Sequence, residues 1–177
     1  MLILGIDPGF ATIGFALLRV EAGQQCLVNC GVITTPANQP LPTRLLQISD
    51  DMQQLLTTFH PDAIAAEELF FTNNITTGIG VAQARGVILT EAERQGIAIF
   101  EYSPSQVKMA VTGYGKAEKR QVMEMTKRLL HLQTLPKPDD AADAVAIALC
   151  HARSFSSRLQ HPDAARPGSG RYAVRQK

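Results

Sequence analysis

The sequence predicts an α/β fold built on one five-stranded mixed sheet, in which a three-strand antiparallel meander is followed by parallel strands and flanked by helices. Three observations carry this expectation. Apolar runs at residues 2–7, 12–20 and 26–34 are separated only by the turn signals Pro8-Gly9 and Glu21-Ala22-Gly23-Gln24, as consecutive hairpin strands require. Helix-spaced residues then intervene before the next short apolar run, and such a strand-helix-strand crossover favours parallel pairing. With 177 residues and 45% hydrophobic content, the chain is long enough to bury a normal core without external support.

Taken in order, the first strand, Leu2-Ile3-Leu4-Gly5-Ile6-Asp7, is apolar on both faces and ends on a carboxylate. After the meander, Leu45, Ile48, Met52, Leu55, Leu56 and Phe59 recur at helical spacing over residues 43–59. Pro61 breaks that pattern, and residues 63–67 read as a fourth strand. A helix over residues 75–95 and a strand near residues 97–102 follow, then helices at about 105–111, 117–130 and 139–154. No internal repeat is visible. The composition divides the chain into one folded domain, residues 1–155, and a flexible basic C-terminal tail, residues 156–177, containing Pro162, Pro167, Gly168, Gly170 and several arginines. No apolar run reaches the roughly 18 residues of a membrane span and no signal segment opens the chain, so a cytoplasmic protein without membrane contact is expected. Cys26, Cys30 and Cys150 are odd in number and lack paired spacing, which argues against a disulfide framework or a zinc site. Cys26 and Cys30, on a strand, read as small core residues.

The acids stand in unusual places. Burying an ionised carboxylate such as Asp7 costs several kcal/mol unless a cation or metal compensates it, and no Lys or Arg precedes Arg19. Two readings fit Asp7 alone, a metal ligand or an Asx turn with Pro8-Gly9. The segment Ala63-Ile64-Ala65-Ala66-Glu67-Glu68 is a second buried strand that closes on a carboxylate. In Asp139-Asp140-Ala141-Ala142-Asp143-Ala144, Asp140 and Asp143 lie three apart on one helix face. Asp139 suffices as an N-terminal cap, whereas Asp143 sits inside the helix among alanines that imply close packing. Four converging carboxylates repel one another unless divalent cations join them. Mg²⁺ prefers hard oxygen ligands, and two such ions about 3.5–4 Å apart suit in-line phosphodiester hydrolysis.

These motifs, Gly5-Ile6-Asp7-Pro8-Gly9, Glu67-Glu68-Leu69-Phe70, Ala82-Gln83-Ala84-Arg85-Gly86, Ala117-Glu118-Lys119 and Asp140-Ala141-Ala142-Asp143-Ala144, occur in an order and spacing that resemble the RuvC family of crossover junction endodeoxyribonucleases, within the RNase H-like nuclease superfamily. The resemblance runs from Met1 to about Phe155. It implies an RNase H-like fold and resolution of Holliday junctions by paired symmetric nicks through two-metal-ion phosphodiester hydrolysis, in DNA recombination and repair. Asp7, Glu67, Asp140 and Asp143 match the family's metal-binding catalytic acids, holding two Mg²⁺ per site with Mn²⁺ as a substitute. Glu67 rather than Glu68 keeps the spacing to Phe70, and a strand's alternation lets only one of the two face the metals. Phe70 matches the DNA-probing aromatic, with Phe71 as the adjacent alternative. Lys108 and Lys119 match basic residues near the scissile strand, Lys119 with a catalytic role, and Arg85 lies in a matched motif as a DNA contact. The implied partners are four-way junction DNA, a second copy in a homodimer, and the RuvA–RuvB branch-migration complex. The helix over residues 75–95, with Gly78, Gly80 and Gly86, is the candidate dimer interface.

Net charge is only +1, but it is divided. Residues 1–100 carry four basic groups against nine acids, and residues 101–177 carry thirteen against seven. Lys108, Lys116, Lys119, Arg120, Lys127 and Arg128 form a candidate phosphate-tracking surface, on which Lys116 and Arg120 join the DNA-contact candidates. For Lys116, Arg120 and Lys127 a solvated helix face is the plainer reading. Two other functional classes fit less well. An actin-like ATPase opens similarly but needs a second phosphate loop and a duplicated domain, and a catalytically silent RNase H-like binding module would not need all four acids. Nucleases acting on RNA or on other branched DNA are the nearer alternative.

Overall fold

The computed structural model describes residues 1–69 and 75–160, with side chains described except at residues 75–77 and 155–160. Strands β1 (Leu2–Asp7), β2 (Thr12–Glu21) and β3 (Gln24–Thr34) form the expected meander, and α1 (Leu41–Phe59) leads to β4 (Ala63–Glu67). Helix α2 (Ile75–Arg94), β5 (Ile99–Tyr102), α3 (Pro104–Thr112), α4 (Lys119–Leu129) and α5 (Asp139–Gln160) complete the chain. The sheet order is β3-β2-β1-β4-β5, with β1 antiparallel to β2 and parallel to β4, and β4 parallel to β5.

Strict alternation along the central strands creates two cores. Leu4, Ile6, Ile64 and Ala66 point to one face and pack with Ile48, Met52, Leu56, Ala84 and Ile88 of α1 and α2. Ile3, Ala16, Leu18 and Ala65 point to the other, where Val107, Val111, Val122 and the alanine-rich stripe of α5 cover them. The layers therefore follow from residue types: continuous apolar runs are viable only in strands buried on both sides.

Local chemistry fixes the ends that matter to the site. At the start of α3, Ser103 Oγ accepts from the Gln106 N–H at 3.3 Å while Gln106 Oε1 accepts from the Ser103 N–H at 2.7 Å, a reciprocal cap. Gln121 Oε1 likewise accepts from the Glu118 N–H at 2.9 Å and orients the first turn of α4. Between β2 and β3 the expected four-residue turn tightens to Ala22-Gly23, both with positive φ (50° and 81°), the conformation that matches strand twist in two-residue hairpins. Consequently β3 starts at Gln24. Its pairing shifts between Leu17 and Leu18, which face Asn29 and Leu27 and leave Val28 as an extra residue.

One expectation is corrected. Cys26 is exposed rather than a core residue, because β3 is the sheet's edge strand and that end of it lies beyond the helical cover. Cys30 is half-buried against the α5 core, and Cys150 on α5 is buried, which pushes its thiol up to about 12. Helix α5 runs on to Gln160, beyond the expected end at residue 154. From residue 161 onward the expected tail lies outside the described residues. Among the described residues, no helix is long and apolar enough to cross a membrane.

Candidate active site

Strands β1 and β4 lie side by side in parallel with Ile6 paired to Ala66, so Asp7 and Glu67 end neighbouring strands at the same, C-terminal edge. That edge is where open α/β sheets gather ligands. The alternation that turns Ile3 and Ala65 toward α5 turns Asp7 and Glu67 the same way. Glu68 is out of step and exposed, and its N–H donates to the Tyr102 carbonyl at 2.9 Å.

Two glycines bring α5 to this edge. A Cβ on Gly5 would stand 2.2 Å from the Ala144 carbonyl oxygen, and one on Gly14 would stand 2.0 Å from that of Asp140. Gly14 pairs with Asp7 across the β1–β2 ladder. The helix backbone therefore rests directly on β1 and β2, with Ala141, Ala144 and Ala148 fully buried beneath it. Asp140 and Asp143, one turn apart, are carried to the end of β1.

An open cleft of about 280 Å³ results, lined by Asp7, Glu67, Asp143, Lys108 and Lys119, with apolar walls that include Pro104, Val107, Val122 and Met123. Burial pushes the Asp7 carboxyl up to about 7, and the charges of Asp143, Glu67 and Asp140 push in the same direction, while Lys119 opposes them. Glu67 is raised by burial and then by Asp143, with Lys108 pulling it back. Lys119 Nζ lies 2.9 Å from Asp143 Oδ2 and 3.4 Å from Asp139 Oδ2. Its hydrogen bond to Asp143 raises the lysine above its ordinary range, and burial offsets part of that rise.

Among the described residues, no three His, Cys, Asp or Glu side chains close into a ready-made metal cage. The four acids are joined by charge rather than by contact. An all-oxygen donor set with two raised carboxyls fits a hard divalent cation better than a thiol- or imidazole-loving metal.

The structure thus gathers Asp7, Glu67, Asp143, Lys108 and Lys119 in one cleft, with Asp140 beside it. Lys116, in the loop before α4, and Arg120, on α4, are exposed and lie outside the cleft lining. Arg85 is not brought to the cleft: its guanidinium pairs with Glu101 of β5, on the sheet face covered by α1 and α2. Phe70 and Phe71 lie outside the described residues. His151 of α5 is buried against Phe100, with Nδ1 2.7 Å from the Tyr102 hydroxyl. The apolar walls escaped the sequence reading, although Val107 and Val122 mark the buried sides of α3 and α4.

The sequence matches the family described as crossover junction endodeoxyribonuclease RuvC over residues 3–151. The chain belongs to the RuvC family. Its relatives include the crossover junction endodeoxyribonuclease RuvC of Syntrophomonas wolfei subsp. wolfei, 54% identical over 155 residues that span 88% of this chain and 90% of the relative. The Thermus thermophilus RuvC structure superposes with a TM-score of 0.82 at 35% identity, covering 90% of this chain and 97% of that one. T. thermophilus RuvC in complex with a Holliday junction substrate gives a TM-score of 0.81 at 32% identity, covering 89% and 96%. The five-stranded mixed sheet is accordingly the RNase H-like fold of RuvC and related resolvases, and the protein is a crossover junction endodeoxyribonuclease of a metal-dependent nuclease family.

Proposed function

We propose that the protein resolves Holliday junctions in the cytoplasm by paired symmetric nicks, using Asp7, Glu67, Asp140 and Asp143 to hold two Mg²⁺ ions, with Mn²⁺ able to substitute. The observation that carries this assignment is the side-by-side placement of Asp7 and Glu67 at parallel strand ends, with the α5 acids coupled to them by charge. Bound divalent cations supply the Lewis acidity and charge neutralisation that phosphodiester hydrolysis requires. The chain's own groups supply the rest. Asp7, the acid that feels the charges of the other three, would be the shared ligand, with Glu67, Asp140 and Asp143 completing the site. Lys119 and Lys108 border the cleft as cations for the charge that develops on the scissile phosphate. No side chain in this arrangement is positioned as a covalent nucleophile.

Lys116 and Arg120 extend the positive rim on the α3–α4 side and serve as backbone contacts to a junction arm. Phe70, with Phe71 as the alternative, stacks on a base opened at the junction centre, a contact worth about 1–3 kcal/mol. A junction's near two-fold symmetry calls for two identical sites, hence a homodimer through α2. In that dimer Gly86 is the open position, since nothing lies within 4 Å of a Cβ built there, whereas Gly80 is already packed within the chain. RuvA–RuvB is the partner machinery.

The deciding experiment is cleavage of a synthetic four-way junction beside matched duplex, fork and single-stranded controls, with Mg²⁺ and with EDTA. Metal-dependent, symmetric paired nicks confined to the junction are expected. Structure-blind cleavage would point to another RNase H-like nuclease, and binding without cutting across several junction sequences would point to a silent binding module.

A further inference from the structure

The segment that leaves Asp7, residues 8–11, is held by an unusual anchor. Arg44, on the first turns of α1, is 8% exposed and forms no ion pair among the described residues. Its guanidinium instead serves the turn. Nη2 donates to the Phe10 carbonyl at 3.3 Å and to the Thr35 carbonyl at 3.4 Å, and Nε donates to Thr35 Oγ1 at 3.0 Å. The Thr35 hydroxyl donates in turn to the same Phe10 carbonyl at 2.7 Å. The guanidinium carbon also stacks 3.6 Å from the centre of the Phe10 ring. Beside that ring lies Gly80 of α2, where a Cβ would meet Phe10 Cδ1 at 2.8 Å.

A buried cation without an acid is expensive, and breaking its contacts is strongly unfavourable, so the arrangement is rigid. The carbonyl that Arg44 and Thr35 share lies three residues after Asp7, and the charges acting on Asp7 are those of Asp143, Glu67, Asp140 and Lys119. Arg44 therefore reaches Asp7 through the backbone of the turn and not through its field. We propose that Arg44 is a positioning residue for the nuclease reaction: with Thr35 and the Phe10 ring it fixes the turn that aims the Asp7 carboxylate, and through Gly80 it ties that aim to the position of α2. The proposal rests on the reading of Asp7 as a metal ligand.

The test titrates Mn²⁺ and Mg²⁺ into full-length protein by calorimetry, for wild type, Asp7→Asn, Arg44→Met, Arg44→Lys and Gly80→Ala. Junction affinity in EDTA and thermal melting are measured on the same samples. Arg44→Met is expected to weaken metal binding about tenfold, the scale set by outer contacts to metal ligands, with junction affinity in EDTA held within about twofold. Arg44→Lys keeps the charge but lacks the planar fork, and should behave like Arg44→Met. Gly80→Ala crowds the ring while gaining helix propensity, so it should weaken metal binding with only a small fall in melting temperature. If Arg44→Met does not fold, Arg44→Lys and Gly80→Ala decide. Wild-type metal affinity in the folded Arg44 and Gly80 variants, beside an Asp7→Asn variant that has lost it, would overturn the positioning role alone. Undiminished metal binding by Asp7→Asn would overturn the metal reading and this proposal with it.

Discussion

At the scale of single residues, Asp7 carries two opposed demands. Its folded carboxyl holds its proton up to about 7, against 3.8 for the unconstrained group, so folding binds a proton there that the unfolded chain releases. That stability is fully present below about pH 4 and is lost as pH rises through about 7. In EDTA, wild type should therefore lose stability over this window by an amount on the order of 4 kcal/mol from Asp7, an upper bound because the neighbouring acids titrate with it. Asp7→Asn should flatten the decline, melt higher than wild type at pH 8 without metal, and show no cleavage while still binding junctions. Melts at pH 5 and pH 8 with and without Mg²⁺, together with a nicking assay, check this, and full cleavage by Asp7→Asn would end the metal assignment. Lys119 presents the reverse case. Its side chain is 56% exposed, so its ion pairs with Asp143 and Asp139 contribute little to folding. Lys119→Met should shift unfolding free energy by less than about 1 kcal/mol yet slow nicking by roughly 10²-fold, as loss of one charge-stabilising group does. Urea titration and single-turnover cleavage separate the two effects.

At the scale of elements, the site depends on how closely α5 can lie on the sheet. Gly5→Ala or Gly14→Ala places a methyl where a helix carbonyl oxygen stands at 2.2 or 2.0 Å, so α5 must lift. Each should destabilise by about 1–3 kcal/mol or more in urea unfolding and abolish nicking, since lifting the helix carries Asp140 and Asp143 away from Asp7. Retained nicking in a well-folded Gly14→Ala would show that the helix need not touch the strand. Much of this was legible in the sequence: the meander and the crossover follow from apolar period and turn residues, the five helices among the described residues fall where they were expected, and Asp7, Glu67 and Asp143 stood out as acids in apolar settings. What escaped is informative. Arg44 falls at four-residue spacing with Ile48, Met52 and Leu56 on the buried stripe of α1, but charge composition registers it as one more surface arginine. Arg85 sits in a motif that suggests DNA contact, yet its partner Glu101 lies on a strand sixteen residues later, a pairing that only the sheet order reveals. The exposure of Cys26 depended on β3 being an edge, which apolar content alone does not announce.

At the scale of the whole molecule, the acidic first half supplies the sheet with Asp7 and Glu67, and the basic second half supplies α3, α4 and α5 that surround them. The active cleft is the seam between the two. Paired incision of a two-fold junction predicts a dimer, so light scattering at micromolar concentration should return twice the 19.2 kDa chain mass. A monodisperse monomer that still cuts both strands symmetrically would remove the need for that partner. The seam also has a consequence for synthesis. Helix α5 ends the described chain yet packs on β1 and β2, which begin it, through Gly5 against Ala144 and Gly14 against Asp140. Contacts so distant in sequence form late, and a chain emerging from the ribosome in order has Asp7 and Glu67 long before Asp140 and Asp143. A truncated or half-made copy that lacks this last helix has neither the cover for that face of the sheet nor Asp140 and Asp143 beside Asp7.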